Sequence, residues 1–177
     1  MFVECIDTDR FVLRVPRSTD GAAVYAAVTD VIEQLRGQPG AWPWAAQEQS
    51  VAVSTAHCKR ARENFEREHK WSLFVFDRQT DQVVGNLEFH TIHSDLNMWE
   101  LGFWTRPSRQ QNGVMTEALT AVLAWMNLNN ASIEIVIKID SGNQVSRQLA
   151  TKVGFKSVGA YQIDGYVLEI LSSNPRS

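Results

Sequence analysis

The sequence predicts an α+β fold in which a mixed, mostly antiparallel twisted sheet is flanked by helices. Three strand-like segments follow one another at residues 71–76, 83–91 and 98–104, and connections as short as theirs join antiparallel neighbours. Further along, a helix-like stretch at 113–128 is followed by a strand at 133–139, whose isoleucines alternate with other residues. Antiparallel strands followed by a strand–helix crossover indicate a mixed sheet.

The N-terminal part of the chain is predicted to form one strand and two helices. Alternating apolar residues at 11–15 indicate the strand, which Pro16 ends. Apolar residues at helical spacing follow over 18–37, where Ser, Thr and Asp are available as N-caps, and a second helix is expected over about 50–68. Between the helices lies an aromatic loop, Trp42-Pro43-Trp44.

The C-terminal part is predicted to form a short helix and a pair of strands. Asn143 caps a helix that ends near Gly154, and strands at 155–161 and 166–171 are joined by the Asp164-Gly165 turn. The predicted element order is therefore β–α–α–β–β–β–α–β–α–β–β.

Length and composition fit one domain that spans residues 1–177. The apolar fraction of 44% is ordinary for a globular protein, and the net charge of −3 argues against nucleic acid as a partner. The N-terminus has neither a basic region nor an apolar leader, and no stretch approaches the roughly 20 apolar residues of a membrane span. We expect a soluble, cytoplasmic protein with no membrane partner, either a monomer or a homodimer.

The cysteines and histidines do not indicate a metal site. Cys5 and Cys58 are expected to be free thiols in a reducing compartment, and a disulfide between them is the open alternative. The four histidines lack the spacing of metal ligands, so no metal is expected.

A candidate anion-binding turn precedes the helix at 113–128. Its backbone N–H groups would point at a phosphate, together with the positive end of the helix dipole. Gly113 would let a pyrophosphate approach the backbone closely. No Gly-Lys-Ser/Thr follows, so the turn is not a P-loop. Taken alone, the segment also fits an ordinary helix start.

A second motif lies downstream of this turn. Asn143-Gln144-Val145-Ser146 begins a helix, and Val153-Gly154-Phe155 ends it at a strand. With both motifs in this order and separation, the chain resembles the GNAT acetyltransferase superfamily, from the strand at 10–14 to the last strand. The resemblance implies a GNAT-like acyltransferase fold and an acetyl-CoA-dependent N-acetyltransferase, with acetyl-CoA (coenzyme A) as co-substrate.

Four segments resemble one subfamily more closely, the Rim-type ribosomal-protein N-terminal alanine acetyltransferases, whose relatives acetylate other amines. They are Trp42-Pro43-Trp44, Val84-Gly85-Asn86-Leu87, Glu100-Leu101-Gly102-Phe103-Trp104 and Met115-Thr116-Glu117-Ala118. The resemblance implies that the acceptor is the N-terminal amine of a protein such as a ribosomal protein. A small-molecule amine, for example a polyamine or an aminoglycoside, is the alternative acceptor.

The resemblance also implies which residues bind the co-substrate. The backbone of Phe103, Trp104 and Thr105 is expected to bind the acetyl group and the pantetheine arm, and Asn143 is expected to donate a hydrogen bond or accept one on the pantetheine side. The residues expected to form the pyrophosphate loop are Gln110, Gln111, Asn112, Gly113, Val114, Met115 and Thr116.

Two positions depart from the superfamily pattern. Met115 stands where a small residue is usual. Ala150 occupies the position at which many members carry a tyrosine that protonates the leaving thiolate. Ser146 is the nearest alternative proton donor by position, although a serine in the first turn of a helix can also be a simple surface residue.

The proton of the acceptor amine needs a base, because an ammonium must lose a proton before it can attack a thioester. Glu100 alternates with Leu101 and Phe103, so its side chain lies on the other side of that strand, beside the stretch expected to hold the acetyl group. It is the candidate general base; the alternative is an ordinary strand carboxylate. A thiolate is an adequate leaving group, so direct transfer requires neither metal nor acyl-enzyme.

Aromatic residues supply the candidate acceptor groove. Trp42, Trp44 and Trp99 are expected to line it, although aromatic side chains also commonly pack in cores. A small-molecule amine site would need clustered carboxylates, for which Glu88 and Asp95 are available beside the candidate base. From another class, the absent tyrosine leaves open a non-catalytic acyl-CoA-binding regulator.

Overall fold

One sheet runs through the computed structural model of the chain, which describes residues 2–38, 43–93, 97–129 and 132–173. The strands of these ranges are β1 (Cys5–Asp7), β2 (Phe11–Arg14), β3 (Lys70–Asp77), β4 (Val83–His93), β5 (Met98–Thr105), β6 (Glu134–Asp140), β7 (Lys156–Ile163) and β8 (Tyr166–Ser172). The α-helices are α1 (Gly21–Arg36), α2 (Val51–Glu66), α3 (Val114–Asn129) and α4 (Gln144–Lys152). Within the sheet the strand order is β1-β2-β3-β4-β5-β6-β8-β7.

Neighbouring strands are antiparallel except β5 and β6, which run parallel. This parallel ladder is short, because only residues 98–100 pair with residues 134–136. Beyond it, β5 continues to Thr105 and β6 continues to Asp140. The two strands therefore separate after Glu100 and leave a gap in the middle of the sheet.

Alternation along the strands gives the sheet two apolar faces. One face includes Leu73, Leu101 and Ile137 and packs against α3 and α4. The other includes Phe74 and Trp104 and packs against α1 and α2. Because successive side chains of a strand point to opposite faces, the register of β5 decides which site residues lie on the α1/α2 side.

The α+β class and the mixed, mostly antiparallel sheet are confirmed, but the predicted element order is wrong at its beginning. β1 precedes the predicted first strand, and its residues 5–7 pair with residues 12–14 of β2. Three residues are too few to display a period, and two of the three are exposed, so no apolar alternation marks this strand in the sequence.

Candidate active site

The gap between β5 and β6 opens into a cavity of about 1080 Å³. Its lining comes from the separated ends of both strands, the turn before α3, the first turn of α4, the end of α1 and the β7–β8 hairpin. A cavity of this size lies at the upper end of those that hold small ligands. It is the candidate active site, because most of the site residues expected from the sequence line it.

The turn before α3 has the backbone conformation of an anion-binding cradle. Gln111 and Gly113 have positive φ angles of 60° and 73°. The N–H of Glu117 donates to the carbonyl of Gly113 at 3.0 Å, as the first bond of an α-helix does. The amides of residues 114–116 therefore have no acceptor within the helix, and they lie at the positive end of its dipole. A pyrophosphate fits this cradle in charge and in the close backbone approach that Gly113 allows.

Gln110 fixes the position of the cradle relative to the sheet. Its side-chain amide donates to the carbonyl of Thr105 at 3.2 Å and to the side-chain oxygen of Gln34, in α1, at 3.0 Å. The end of β5, the turn and α1 are thereby joined at one rim of the cavity.

The residues expected to bind the co-substrate are brought together, with one exception. The cavity is lined by Phe103, Trp104, Thr105, Gln110, Gln111, Gly113, Val114, Met115, Thr116 and Asn143. Asn112 is not among the lining residues, and its carbonyl instead accepts a hydrogen bond of 2.9 Å from Arg10. Because the β5–β6 ladder ends at Glu100, the backbone edge of residues 103–105 that faces β6 borders the cavity.

Glu100 lies at the last paired position before β5 and β6 separate, where it is opposite Val136. Its Oε2 accepts from Nζ of Lys138 at 2.5 Å, and Nε2 of His90 lies 3.8 Å from the same oxygen. All three side chains line the cavity. The strand alternation places Glu100 on the face opposite Leu101, as the sequence predicts, so the carboxylate lies beside the open end of the gap.

The start of α4 contributes a capped helix and a hydroxyl. Asn143 is the N-cap, and its Oδ1 accepts from the backbone N–H of Ser146 at 3.1 Å. Both residues line the cavity. Ala150 lies one turn further along, is fully buried and packs in the core of the α3/α4 face. Ser146, in the first turn of α4, therefore places a hydroxyl at the cavity, where Gln148 and Lys152 of the same helix also lie.

The tryptophans expected in the acceptor groove lie elsewhere or outside the described residues. Trp44 lines a separate cavity of about 40 Å³ beneath α1 and α2, together with His57 and Glu88. Burial lowers the pKa of His57, which favours the neutral imidazole there. Trp42 lies outside the described residues. Of the tryptophans in the described ranges, Trp104 borders the large cavity, and it also lines the small one.

Trp99 does not fit the expected role in an acceptor groove. Its side chain is only 8% exposed and contacts the ring of Phe2 at 4.7 Å between centroids. Strand alternation turns it onto the α3/α4 face, opposite Glu100, where it belongs to the core.

The structure adds His90 and Lys138 to the site, which the sequence analysis does not assign to it. Lys138 interrupts the isoleucines of β6 and is an exposed residue of that strand, which is the signal that could have identified it. His90 pairs directly with Glu100 across β4 and β5. That contact depends on the strand register, which the sequence alone does not specify.

The cysteines offer no activated nucleophile in the cavity. Cys58 is fully buried in α2, and burial raises the pKa of its thiol to about 11, so its thiolate fraction at neutral pH is very small. Cys5 is exposed in β1, and neither thiol lines the large cavity.

Among the described residues, no group of three or more His, Cys, Asp or Glu side chains is arranged to hold a metal ion. Every helix in the described ranges is too short or too polar to span a bilayer.

We expect transfer activity to survive removal of both thiols. The double variant Cys5→Ser, Cys58→Ala should retain kcat within about twofold, because neither thiol lines the large cavity and the raised pKa of Cys58 leaves little thiolate there. Thiol release from acetyl-CoA under saturating substrates measures this, with circular dichroism as the check on folding. Loss of turnover in a folded double variant would contradict direct transfer.

Comparisons with known proteins agree with this geometry. Residues 10–156 match the family model of the acetyltransferase (GNAT) domain. The uncharacterized N-acetyltransferase YoaA of Bacillus subtilis (strain 168) is 24% identical over 156 residues, which are 87% of this chain and 84% of YoaA.

Two solved structures are similar in fold. RimL, a ribosomal L7/L12 α-N-protein acetyltransferase in complex with coenzyme A, has a TM-score of 0.83 at 20% identity, over 96% of this chain and 97% of that one. The microcin C7 self-immunity acetyltransferase MccE, in complex with acetyl-CoA and AMP, has a TM-score of 0.81 at 20% identity, over 93% and 92%. At such identities the likeness shows the fold, and the match to the family model shows the family. The chain belongs to the GNAT family of acetyltransferases.

Proposed function

We propose that this enzyme transfers the acetyl group of acetyl-CoA to the N-terminal amine of a protein, as a single domain in the cytoplasm. The observation that carries the proposal is the position of Glu100, at the point where β5 and β6 separate and in the same cavity as the cradle before α3. A carboxylate at that point is beside the backbone expected to hold the acetyl group. The fold similarity to RimL supports a protein acceptor.

The roles of the residues follow from their positions. The amides at the start of α3 would hold the pyrophosphate, and the free edge of residues 103–105 would hold the pantetheine arm and the acetyl carbonyl. When bound, acetyl-CoA would supply an activated acetyl thioester. Glu100 would accept the proton of the acceptor ammonium, directly or through a water molecule, and the hydroxyl of Ser146 would supply a proton to the departing sulfur.

The availability of the base favours an α-amine as the acceptor. Lys138 already contacts the carboxylate of Glu100, so the site suits an amine that gives up its proton readily. At pH 7 about a tenth of α-amines are neutral, whereas lysine-type amines, with a pKa near 10.4, are almost entirely protonated. Deprotonation of a protein N-terminal amine by Glu100 is therefore easier than deprotonation of a lysine or a polyamine.

The charges of the cavity also favour a singly charged acceptor over a polyamine. Its cationic lining residues are Arg109, Lys138 and Lys152, and its carboxylates are Glu100 and Asp140. Glu88, which a polyamine site would need, instead pairs with Lys70 at 3.4 Å and lines the smaller cavity; Asp95 lies outside the described residues. No concentration of negative charge is present among the described lining residues to attract a polycation.

The acceptor class can be tested by steady-state release of free thiol from acetyl-CoA with matched acceptors. The panel contains a peptide with a free N-terminus, the same peptide with a blocked N-terminus and one lysine, spermidine, and an aminoglycoside. We expect turnover with the free N-terminus and at least tenfold lower kcat/KM with the others. A preference for spermidine or the aminoglycoside would overturn the proposal. Binding of acetyl-CoA without turnover of any acceptor would identify a non-catalytic acyl-CoA-binding protein.

Ser146→Ala should lower kcat about tenfold, the low end of general-acid effects, and leave the Kd for acetyl-CoA within about twofold. The side-chain oxygen of Asn143 accepts from the backbone N–H of residue 146. Because the substitution does not change that backbone group, the start of α4 is retained. Ser141→Ala is the matched control, because Ser141 lies just before α4 and is not a lining residue. An unaltered kcat in the Ser146 variant, with chemistry rate-limiting, would leave Ser146 as a helix residue only.

A further inference from the structure

The turn between β1 and β2 packs against the start of α3, directly beside the phosphate cradle. Oε1 of Glu117 accepts from Oγ1 of Thr8 at 2.7 Å and from the backbone N–H of Arg10 at 3.0 Å. Oε2 of Glu117 accepts from Nε of Arg10 at 2.7 Å. Two residues of this turn therefore bind both oxygens of one carboxylate in the first turn of α3.

Arg10 also contacts the cradle itself. Its Nη1 donates to the carbonyl of Asn112 at 2.9 Å, and a Cβ placed on Gly113 would lie 3.3 Å from its Nη2. The side chain of Arg10 is about half exposed. One guanidinium thus links the helix, through Glu117, to the carbonyl of the residue that precedes Gly113, and it leaves positive charge next to the glycine.

The charge of Glu117 makes this link necessary for anion binding. A carboxylate at the start of α3 would repel a pyrophosphate bound to the same helix end. Burial alone would raise the pKa of Glu117, but the hydrogen bonds from Thr8 and Arg10 outweigh burial and lower that pKa, so the group is ionised at neutral pH. Arg10 balances this charge and, through its fork of donors, holds the carboxylate and the Asn112 carbonyl in one geometry.

We propose that Arg10 and Glu117 form a positioning pair that holds the cradle before α3 in its anion-binding conformation and sets the affinity for the pyrophosphate of acetyl-CoA. The inference rests on the proposed role of that cradle in the acetyltransferase. Neither residue lines the cavity, so the pair acts through the backbone of residues 112 and 113 and through the nearby charge of Arg10. The thioester arm, expected along residues 103–105, would not contact either residue of the pair.

Two ligands separate this role from a general loss of structure. Acetyl-CoA carries the pyrophosphate, whereas acetyl-pantetheine has the same thioester arm without it. Arg10→Met should raise the Kd for acetyl-CoA about tenfold, and Glu117→Gln should raise it by a smaller factor, because it releases Arg10 but also removes the repelling charge. Both variants should leave the Kd for acetyl-pantetheine within about twofold, by titration of tryptophan fluorescence. In steady state the KM for acetyl-CoA should rise while kcat is retained at saturation. Arg10→Lys, which keeps the charge but not the fork, should recover part of the affinity.

The matched control is Arg78→Met. Arg78 donates to the carbonyl of Thr8 at 2.9 Å and pairs with Asp7, so these side-chain bonds support the same turn and involve neither α3 nor the cradle. Its removal should leave both affinities within about twofold. The double variant of Arg10 and Glu117 should lose no more acetyl-CoA affinity than the weaker-binding single variant, because the two residues act as one unit.

Two results would overturn the inference. One is an unchanged acetyl-CoA affinity in folded Arg10→Met, Arg10→Lys and Glu117→Gln. The other is an equal loss for acetyl-CoA and acetyl-pantetheine, which would indicate a merely structural role. If Gly113→Val weakens acetyl-CoA binding while the pair variants do not, the cradle binds the pyrophosphate but Arg10 and Glu117 do not control its affinity. If Gly113→Val also has no effect, the cradle itself is wrongly assigned.

Discussion

Replacing Glu100 with Gln should lower kcat/KM for a peptide acceptor about a hundredfold at neutral pH, within the usual range for loss of a general base. The substitution keeps the size and hydrogen-bonding capacity of the side chain but removes the group that accepts the proton. The loss should shrink as pH rises, because more of the acceptor amine then arrives already deprotonated. A pH profile of kcat/KM for both enzymes measures this effect.

Two further variants separate proton transfer from charge. Glu100→Gln leaves Lys138 without its partner, and an unpaired ammonium would repel the acceptor. If repulsion is the cause, the double variant Glu100→Gln, Lys138→Met should recover activity, whereas we expect it to stay low. Glu88→Gln is the matched carboxylate control, since Glu88 lies on the neighbouring strand and lines the smaller cavity. Wild-type kcat/KM across the pH range in the Glu100 variant would place the base elsewhere.

Gly113→Val should raise the Kd for acetyl-CoA about fiftyfold, or about 2.3 kcal/mol. The φ angle of 73° at this position is unfavourable for a β-branched residue, so the turn should leave the conformation that presents the amides of α3. A Cβ would also lie 3.3 Å from Arg10, within a tight contact. Isothermal titration calorimetry measures the affinity, and thermal unfolding without ligand checks the fold.

Gly165→Val is the control for backbone strain. Gly165 also has a positive φ, of 82°, but it lies in the turn between β7 and β8 and not in the phosphate cradle. Its replacement should lower the thermal midpoint without a comparable loss of acetyl-CoA affinity. Unchanged affinity in a folded Gly113→Val variant would show that the pyrophosphate binds elsewhere.

The fold was predictable wherever a period of two or 3.6 residues extends over a whole element. The isoleucines of β6 and the apolar stripe of α3 are such cases, and the Asp164-Gly165 turn identifies the last hairpin. β1 has three residues and is defined by its pairing with β2 rather than by its own pattern. No local pattern indicates that the turn between β1 and β2 supports the start of α3, because Arg10 and Glu117 are 107 positions apart in the chain.

The position of the candidate cradle was predictable because its residues form one contiguous motif from Gln110 to Thr116, of which all but Asn112 line the cavity. Glu100 was predictable because alternation fixes the face of a strand residue once the strand is recognised. The same rule assigns Trp99 to the core face. The expectation that Trp99 borders the acceptor relied on the frequent role of aromatic side chains in binding and disregarded the alternation. The contacts of Glu100 with His90 and Lys138 depend on the register of three strands, which no local pattern specifies.

The central proposal, acetylation of an N-terminal amine with Glu100 as base, is tested most directly by locating the acetyl group on a peptide that offers both kinds of amine. A peptide with a free N-terminal alanine and one internal lysine is incubated with acetyl-CoA and the enzyme, and fragmentation mass spectrometry identifies the modified nitrogen. We predict one acetyl group on the α-nitrogen, formed about a hundredfold more slowly by Glu100→Gln at neutral pH. Acetylation of the lysine alone, or equal rates for the two enzymes, would contradict the account.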